Sequence, residues 1–180
     1  EPDPAGTADI AAAGDREAAA LERALAAVDG ELPGGIAGII AGAVASEFQH
    51  DRLTALAERF EIGYFAPLWQ TEPAEAARRM VAAGFHIRIV GVAAEGLDRS
   101  WLGRQFDAAA ITDLERLHDR YGVHVLGEGG EFETLVLDGP HMHRALTVRT
   151  TAEWDGTRGH LAIQEVTTSD TPTLRVRNRS

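Results

Sequence analysis

Gly127-Glu128-Gly129-Gly130-Glu131-Phe132-Glu133-Thr134 runs directly into the apolar segment Leu135-Val136-Leu137 and then into Asp138-Gly139-Pro140. Three carboxylates and three glycines share these eight residues, where ordinary surface loops scatter their acids. Glycine lets a backbone turn sharply and lets a ligand approach closely. Glu131 and Glu133 are two apart, so a strand beginning here sets both carboxylates on one face. Two readings stand: a solvated acidic turn before a strand, or a binding loop. The elements on either side decide between them.

Upstream, Ile111, Leu114, Leu117 and Tyr121 recur at helical spacing, which predicts a helix over 108–121 closed by Gly122. Phe85 to Ala93 reads as a strand, followed by a loop over 94–98 and a short turn or helix at 100–104. Thr71 reads as the cap of a helix with Pro73 in its first turn. Trp69 reads as a packing residue. Gly63-Tyr64-Phe65 reads as a short strand. Ile36 to Ala41 is a continuous apolar run, expected to be a buried strand of a parallel sheet. Gly42 to Gln49 then forms a strand-to-helix junction, the place where open α/β folds set ligand loops. Ser46 is expected to cap the next helix, with Gln49 completing a capping box, and that helix runs to about Phe60. Asp15 is expected to cap a helix reaching about Val28. Downstream, Leu146, Val148 and Thr150 alternate and, with Leu161-Ala162-Ile163, predict a β-hairpin with an irregular tip at Trp154-Asp155-Gly156.

The order of elements to Ala93 points to an α/β fold. It divides into a mobile leader at 1–14, the later part of a nucleotide-binding α/β domain at 15–70 and a smaller α+β domain at 71–142. A β-hairpin extension at 143–168 and a mobile tail at 169–180 complete it. No GxGxxG, Walker loop or Ser-Gly-Gly-x-Asp-Ser segment is present. A remnant sheet of this kind exposes an apolar edge, so self-association or a complementing subunit is expected.

Composition narrows the chemistry. The 28 acids outnumber 17 bases, giving a net charge of −11, and every base is arginine. Such a balance argues against a nucleic-acid binder, which needs a basic footprint. There is no cysteine, which excludes disulfides, thiolate metal sites and a cysteine nucleophile, and no lysine for a Schiff base or phosphate loop. No apolar stretch reaches the length of a membrane span. A cytoplasmic location is the default. The acidic, lysine-free, alanine-rich surface fits a halophilic, archaeal-like source, where salt screens self-repulsion. A GC-rich genome gives the same bias.

Several blocks recur in a fixed order: Gly42 to Gln49; Phe65-Ala66-Pro67-Leu68-Trp69; Ala82 with Gly84-Phe85; Val92 to Asp98; Trp101-Leu102-Gly103; and Tyr121-Gly122-Val123-His124 running into 127–140. Together they resemble the diphthine–ammonia ligase family of the ATP pyrophosphatase (PP-loop) superfamily, over about Glu17 to Met142. The resemblance implies an incomplete Rossmann-like sheet of the adenine nucleotide α-hydrolase type. It implies ATP-dependent amidation of diphthine on translation elongation factor 2, through adenylation and displacement of AMP by ammonia. ATP with Mg²⁺ would be the cofactors, and elongation factor 2 and ammonium the partners, with no nucleic acid and no membrane. Glu128, Glu131 and Glu133 are the candidate catalytic residues. Gly127, Gly129, Gly130, Thr134, Glu95, Gly96 and Trp101 are the candidate substrate contacts. Gly42, Ala43, Ser46, Glu47 and Gln49 are the candidate nucleotide contacts, and no residue is assigned to a metal. The family's phosphate loop is expected upstream of Glu1, so the chain reads as a fragment or truncated form. The alternative is a non-catalytic binding module. A hydrolase with Glu128, Glu131 and Glu133 as magnesium ligands ranks below both. His124, His141 and His143 flank the cluster and read as structural.

Overall fold

The computed structural model describes residues 4–44 and 46–169, with side chains described from residue 18 onward. The chain divides into two compact units, with the boundary between Thr71 and Glu72. The expected tail beyond Ser169 lies outside the described residues.

The first unit opens with helix α1, Pro4–Glu31. Its start corrects two expectations: residues 4–14 are helical rather than a mobile leader, and Asp15 sits inside the helix rather than capping it. The segment is dense in alanine, the strongest helix former, and needs no cap at Asp15 to begin. Strands β1, Gly38–Ile40, and β2, Gly63–Phe65, pair in parallel, with Ile39 opposite Tyr64 and Ile40 opposite Phe65. The crossover between them is α2, Glu47–Arg59. Ser46 caps it, its Oγ accepting the Gln49 N–H at 3.4 Å. Tyr64 faces α2, with its hydroxyl 3.3 Å from His50 Nδ1, and the Trp69 ring stacks on His50 at 4.0 Å. The expected burial of β1 does not hold. Ile40 is 78% and Phe65 62% exposed, because α2 covers only the Ile39–Tyr64 face of this pair.

The second unit is the larger of the two, not the smaller. It begins with α3, Pro73–Ala82, capped by Glu72 and not by Thr71. The Glu72 carboxylate accepts the N–H groups of Ala74 and Glu75 at 3.0 and 2.7 Å, and these bonds hold its pKa below the usual carboxylate range. Then follow β3, His86–Val92, a 3-10 turn at Arg99–Trp101, and α4, Ala108–Tyr121, which ends at Gly122 with φ +75°. Strands β4, Phe132–Asp138, β5, Leu146–Trp154, and β6, Gly159–Thr168, complete the unit.

These four strands form one antiparallel sheet in the order β4-β3-β6-β5. The β5–β6 hairpin is therefore not an appended extension: β6 pairs with β3 through Gly91↔His160 and Val92↔Gly159. Helices α3 and α4 bury Ala74, Ala77, Ile111 and Leu114 against Ile87, Ile89 and Phe132 of the sheet. Burying each of the larger aliphatic side chains contributes about 1.5–3 kcal/mol. This packed layer fixes the ends of β3 and β4, between which the acidic loop is held.

Candidate functional site

The pairing register carries two rows across all four strands at one end of the sheet. Phe132, Val92, Gly159 and Trp154 stand side by side, and so do Glu133, Gly91, His160 and Glu153. Directly opposed residues in antiparallel strands share a face. The first row faces the core: Phe132 and Val92 are buried, and Trp154 packs against the core. The second row is open, with Glu133, His160 and Glu153 exposed. A groove of about 630 Å³ lies at this end, lined by the last residues of β3, by Gly130 and Glu133, and by the hairpin from Glu153 to His160.

Two strand glycines shape it. A Cβ at Gly91 would stand 3.2 Å from Glu133 Cβ, so the Glu133 side chain passes close over Gly91. A Cβ at Gly159 would stand 2.6 Å from the Trp154 ring, which lies across it. The strand β3 also slips register between Ile89 and Gly91, a bulge of the kind that re-aims side chains beside sites. The hairpin tip is held by local hydrogen bonds. Asp155 accepts the N–H groups of Thr157 and Arg158 at 3.0 and 2.9 Å and pairs with Arg158 Nε at 3.2 Å. The two backbone bonds hold its carboxyl far below the usual carboxylate range. His160 Nε2 stands 3.3 Å from Glu153 Oε2.

The loop from His124 to Glu131 locks itself. Glu131 accepts the His124 N–H at 2.9 Å on one carboxylate oxygen and the Gly129 N–H at 2.8 Å on the other. The His124 ring answers from the other side: its Nδ1 accepts the N–H groups of Leu126 and Glu128 at 3.2 and 3.4 Å. Ala93 N–H donates to the Glu131 carbonyl at 2.8 Å, fastening the loop to the end of β3. Gly127 is in the left-handed region at φ +72°, and a Cβ there would meet the Phe132 carbonyl at 2.7 Å. Gly129 leaves room for the Glu131 carboxylate, which a Cβ would meet at 2.8 Å.

The structure therefore separates the three candidate catalytic glutamates. Glu133 faces the groove. Glu131 has both oxygens engaged by the main chain and positions the loop. Glu128 lies on the exposed outer turn of the loop. Of the candidate substrate contacts, Gly130 lines the groove, while Gly127 and Gly129 shape the loop. Thr134, one residue past Glu133 on β4, belongs to the opposite face and is not among the groove's lining. Glu95, Gly96 and Trp101 do not line it either. A Cβ at Gly96 would meet the Tyr121 and Leu117 side chains at 2.8 Å, so its role is packing against α4. Trp101 is 6% exposed, in the core, with the Arg104 guanidinium 4.2 Å from its ring centre. It is a core residue and not a substrate contact. The candidate nucleotide contacts lie in the first unit: Gly42, Ser46, Glu47 and Gln49 are exposed around the start of α2, and Ala43 is buried. Residues missed by sequence reasoning are Gly91, Glu153, Trp154, Arg158 and His160. Gly91 and Gly159, isolated within strand patterns, were the available signal. Among the described residues no group of three His, Asp or Glu is placed to hold a metal ion, and no helix is long and apolar enough to cross a membrane.

A mixed α/β chain whose acidic loop and hairpin tip enclose a groove at one sheet end can be compared with known proteins. The sequence profile of the diphthamide synthase C-terminal domain matches residues 72–168, more than half of the 180-residue chain, and the chain belongs to that family. The match spans both the loop and the hairpin. Diphthine–ammonia ligase of Rattus norvegicus is 38% identical over 116 residues, covering 64% of this chain and 43% of the relative. The Homo sapiens ligase is 37% identical over 114 residues, 63% of this chain and 42% of its own length. The Saccharomyces cerevisiae ligase is 32% identical over 141 residues, 70% of this chain and 20% of its own length. The chain thus spans less than half the length of these relatives.

Proposed function

We infer that the chain serves in ATP-dependent amidation of diphthine on translation elongation factor 2, a reading supported by its relatives' name, diphthine–ammonia ligase, and that the second unit handles the substrate. The observation that carries this reading is the coincidence of the family match with the groove, since residues 72–168 contain every residue that lines it. Glu133 is the carboxylate that meets substrate or ammonium there. Ammonium must lose a proton before nitrogen can attack an activated carboxyl, and a carboxylate on the groove floor can hold the cation and take part in that transfer. Glu131 and His124 act one step back, by holding the loop that carries Gly130 and leads into Glu133. The setting of this chemistry is the cytoplasm, where the elongation factor works.

ATP and Mg²⁺ are the implied co-reactants, and the donor set around α2 tests the fit. The α2 N-terminus offers backbone N–H groups, which favour anions. The Ser46 hydroxyl, however, is engaged with Gln49 N–H, and Glu47 places a carboxylate in the first turn. The Glu47 charge opposes a bare polyphosphate at this helix start, so no phosphate contact is assigned to this loop. The same misfit favours a second reading, in which the chain binds the diphthine-bearing factor without performing the ATP chemistry. Elongation factor 2 carrying diphthine, incubated with the protein, ATP, Mg²⁺ and ammonium, separates the two. Amide formation seen by mass spectrometry supports the ligase. Binding of the factor without amide supports the second reading, and the absence of both binding and amide would sink both.

A further inference from the structure

We propose that His160, oriented by Glu153, is the proton acceptor for the ammonium that Glu133 holds. The proposal rests on the reading of this groove as the amidation site and adds a second catalytic group to it. The strand register carries the argument. Glu133, Gly91, His160 and Glu153 are direct neighbours in one row, so their side chains stand on one face. Gly91 brings no side chain to that row, and Glu133 leans onto it: a Cβ at Gly91 would stand 3.2 Å from Glu133 Cβ and 3.3 Å from Cγ. Glu133 therefore extends over β3 toward β6, whose residue at that level is His160. The β4 and β6 backbones lie two strand spacings apart, roughly 9–10 Å. An ammonium ion bonded to a carboxylate on one side and an imidazole on the other separates them by about 6 Å. The leaning Glu133 side chain brings the row to that scale. Both residues line the groove, so a small cation has access to them from solvent.

The ring is set for the task. His160 Nε2 stands 3.3 Å from Glu153 Oε2. A carboxylate only accepts, so in the neutral ring the proton sits on Nε2 and Nδ1 carries the lone pair. Nδ1 has no hydrogen-bond partner among the described residues. A base held in one tautomer by a third group, with its other nitrogen open, is the arrangement general-base catalysis needs. Ammonium gives one proton to Nδ1 and keeps the electron pair of that N–H bond. The nitrogen then bonds to the activated carboxyl carbon, and the leaving group departs with the electron pair of its carbon–oxygen bond. The second N–H proton passes to Glu133. Glu153 stabilises the imidazolium, and the ring, being exposed, returns its proton to water. Of the remaining charges on the groove, Arg158 is turned back on Asp155 at 3.2 Å and leaves the row to Glu133, His160 and Glu153.

Nitrogen NMR of the His160 ring, in the whole chain at about pH 8, tests the arrangement without relying on turnover. The wild-type ring should be mainly the Nε2–H tautomer. Glu153→Ala should lose that preference, and Glu153→Gln, whose amide oxygen still accepts, should keep it. Ammonium chloride is then titrated to about 100 mM against potassium chloride at equal ionic strength, above the roughly 10 mM Kd of a weakly held ion. Ammonium should shift Nδ1 where potassium does not, and Glu133→Gln should weaken that response about three-fold or more. In the amidation assay, His160→Gln, an exposed position, should lower the rate at saturating ammonium about ten-fold or more while leaving the affinity for elongation factor 2 unchanged. A ring with no tautomer preference, equal responses to ammonium and potassium, or full amidation by His160→Gln would overturn the proposal. An ammonium-specific shift in a chain that forms no amide would keep the ammonium contact at His160 and remove the ligase reading. Amidation with no ammonium response at His160 would keep the ligase reading and remove the proposal.

Discussion

Glu131→Gln tests the claim that this glutamate holds the loop rather than reacting with substrate. The wild-type carboxylate accepts two main-chain N–H groups, from His124 at 2.9 Å and Gly129 at 2.8 Å. Glutamine keeps one oxygen for one of them and turns an NH₂ toward the other, setting donor against donor. A hydrogen bond to a charged group contributes about 1.5–3 kcal/mol, and this site is only half-buried, so the lower end applies. The loss expected is about 1.5 kcal/mol, local to the loop, which corresponds to roughly a ten-fold rise in exchange for an amide that opens with it. Amide hydrogen exchange measured by NMR reads this directly at His124 and Gly129. Amides of α4 should keep their wild-type protection, since Ile111 and Leu114 remain packed in the core. Unchanged exchange at both loop amides, in a variant that folds, would refute the positioning role. Glu131 would then return to the list of groups free to act on substrate.

Other substitutions separate the remaining roles. Gly127→Ala should destabilise the chain by about 2 kcal/mol in a urea melt, because a left-handed residue there also drives a Cβ into the Phe132 carbonyl. Gly130→Ala, at φ +80° with open space around it, should cost only about 1 kcal/mol. Asp155 has its pKa lowered by the hairpin bonds, so its contribution is complete above the unfolded carboxylate pKa of about 4 and is lost as pH falls toward its folded value. Thr157 and Arg158 amide exchange should therefore rise on acidification below that point, and Asp155→Asn should show faster exchange already at neutral pH and less change with acid. With a net charge of −11, the melting temperature should rise with added salt as self-repulsion is screened. A fall with salt would remove the argument from composition to a halophilic source.

The legible parts of the fold are those encoded locally. Helix α4 spans 108–121, as its apolar spacing and Gly122 require. Gly63–Phe65 is a strand, and Ser46 caps α2. Thr71 and Glu72 are neighbours with capping side chains, and only the geometry of the turn shows that the Glu72 carboxylate reaches the free N–H groups. The apolar run at β1 suggested burial, but burial depends on what covers a strand, and Ile40 has nothing over it among the described residues. Candidate site residues divide in the same way. The acidic loop was visible as a concentration of charge and glycine. That Glu131 is tied up while Glu133 is open follows from the His124 and Gly129 contacts, which spacing alone does not encode. Trp101 stands in a matching block for the sake of the core, since a motif preserves packing as readily as chemistry. Trp154 and His160 reach the groove through the pairing of β6 with β3, a contact between residues nearly seventy positions apart in sequence.

The central claim is that the groove beside Glu133 takes the diphthine of elongation factor 2. Its most direct measurement is the affinity of this chain for elongation factor 2 in two forms, one carrying diphthine and one with the unmodified histidine. The account predicts tighter binding of the diphthine form, with that preference lost in Glu133→Gln. Equal affinity for both forms, or a preference that Glu133→Gln leaves untouched, would contradict it.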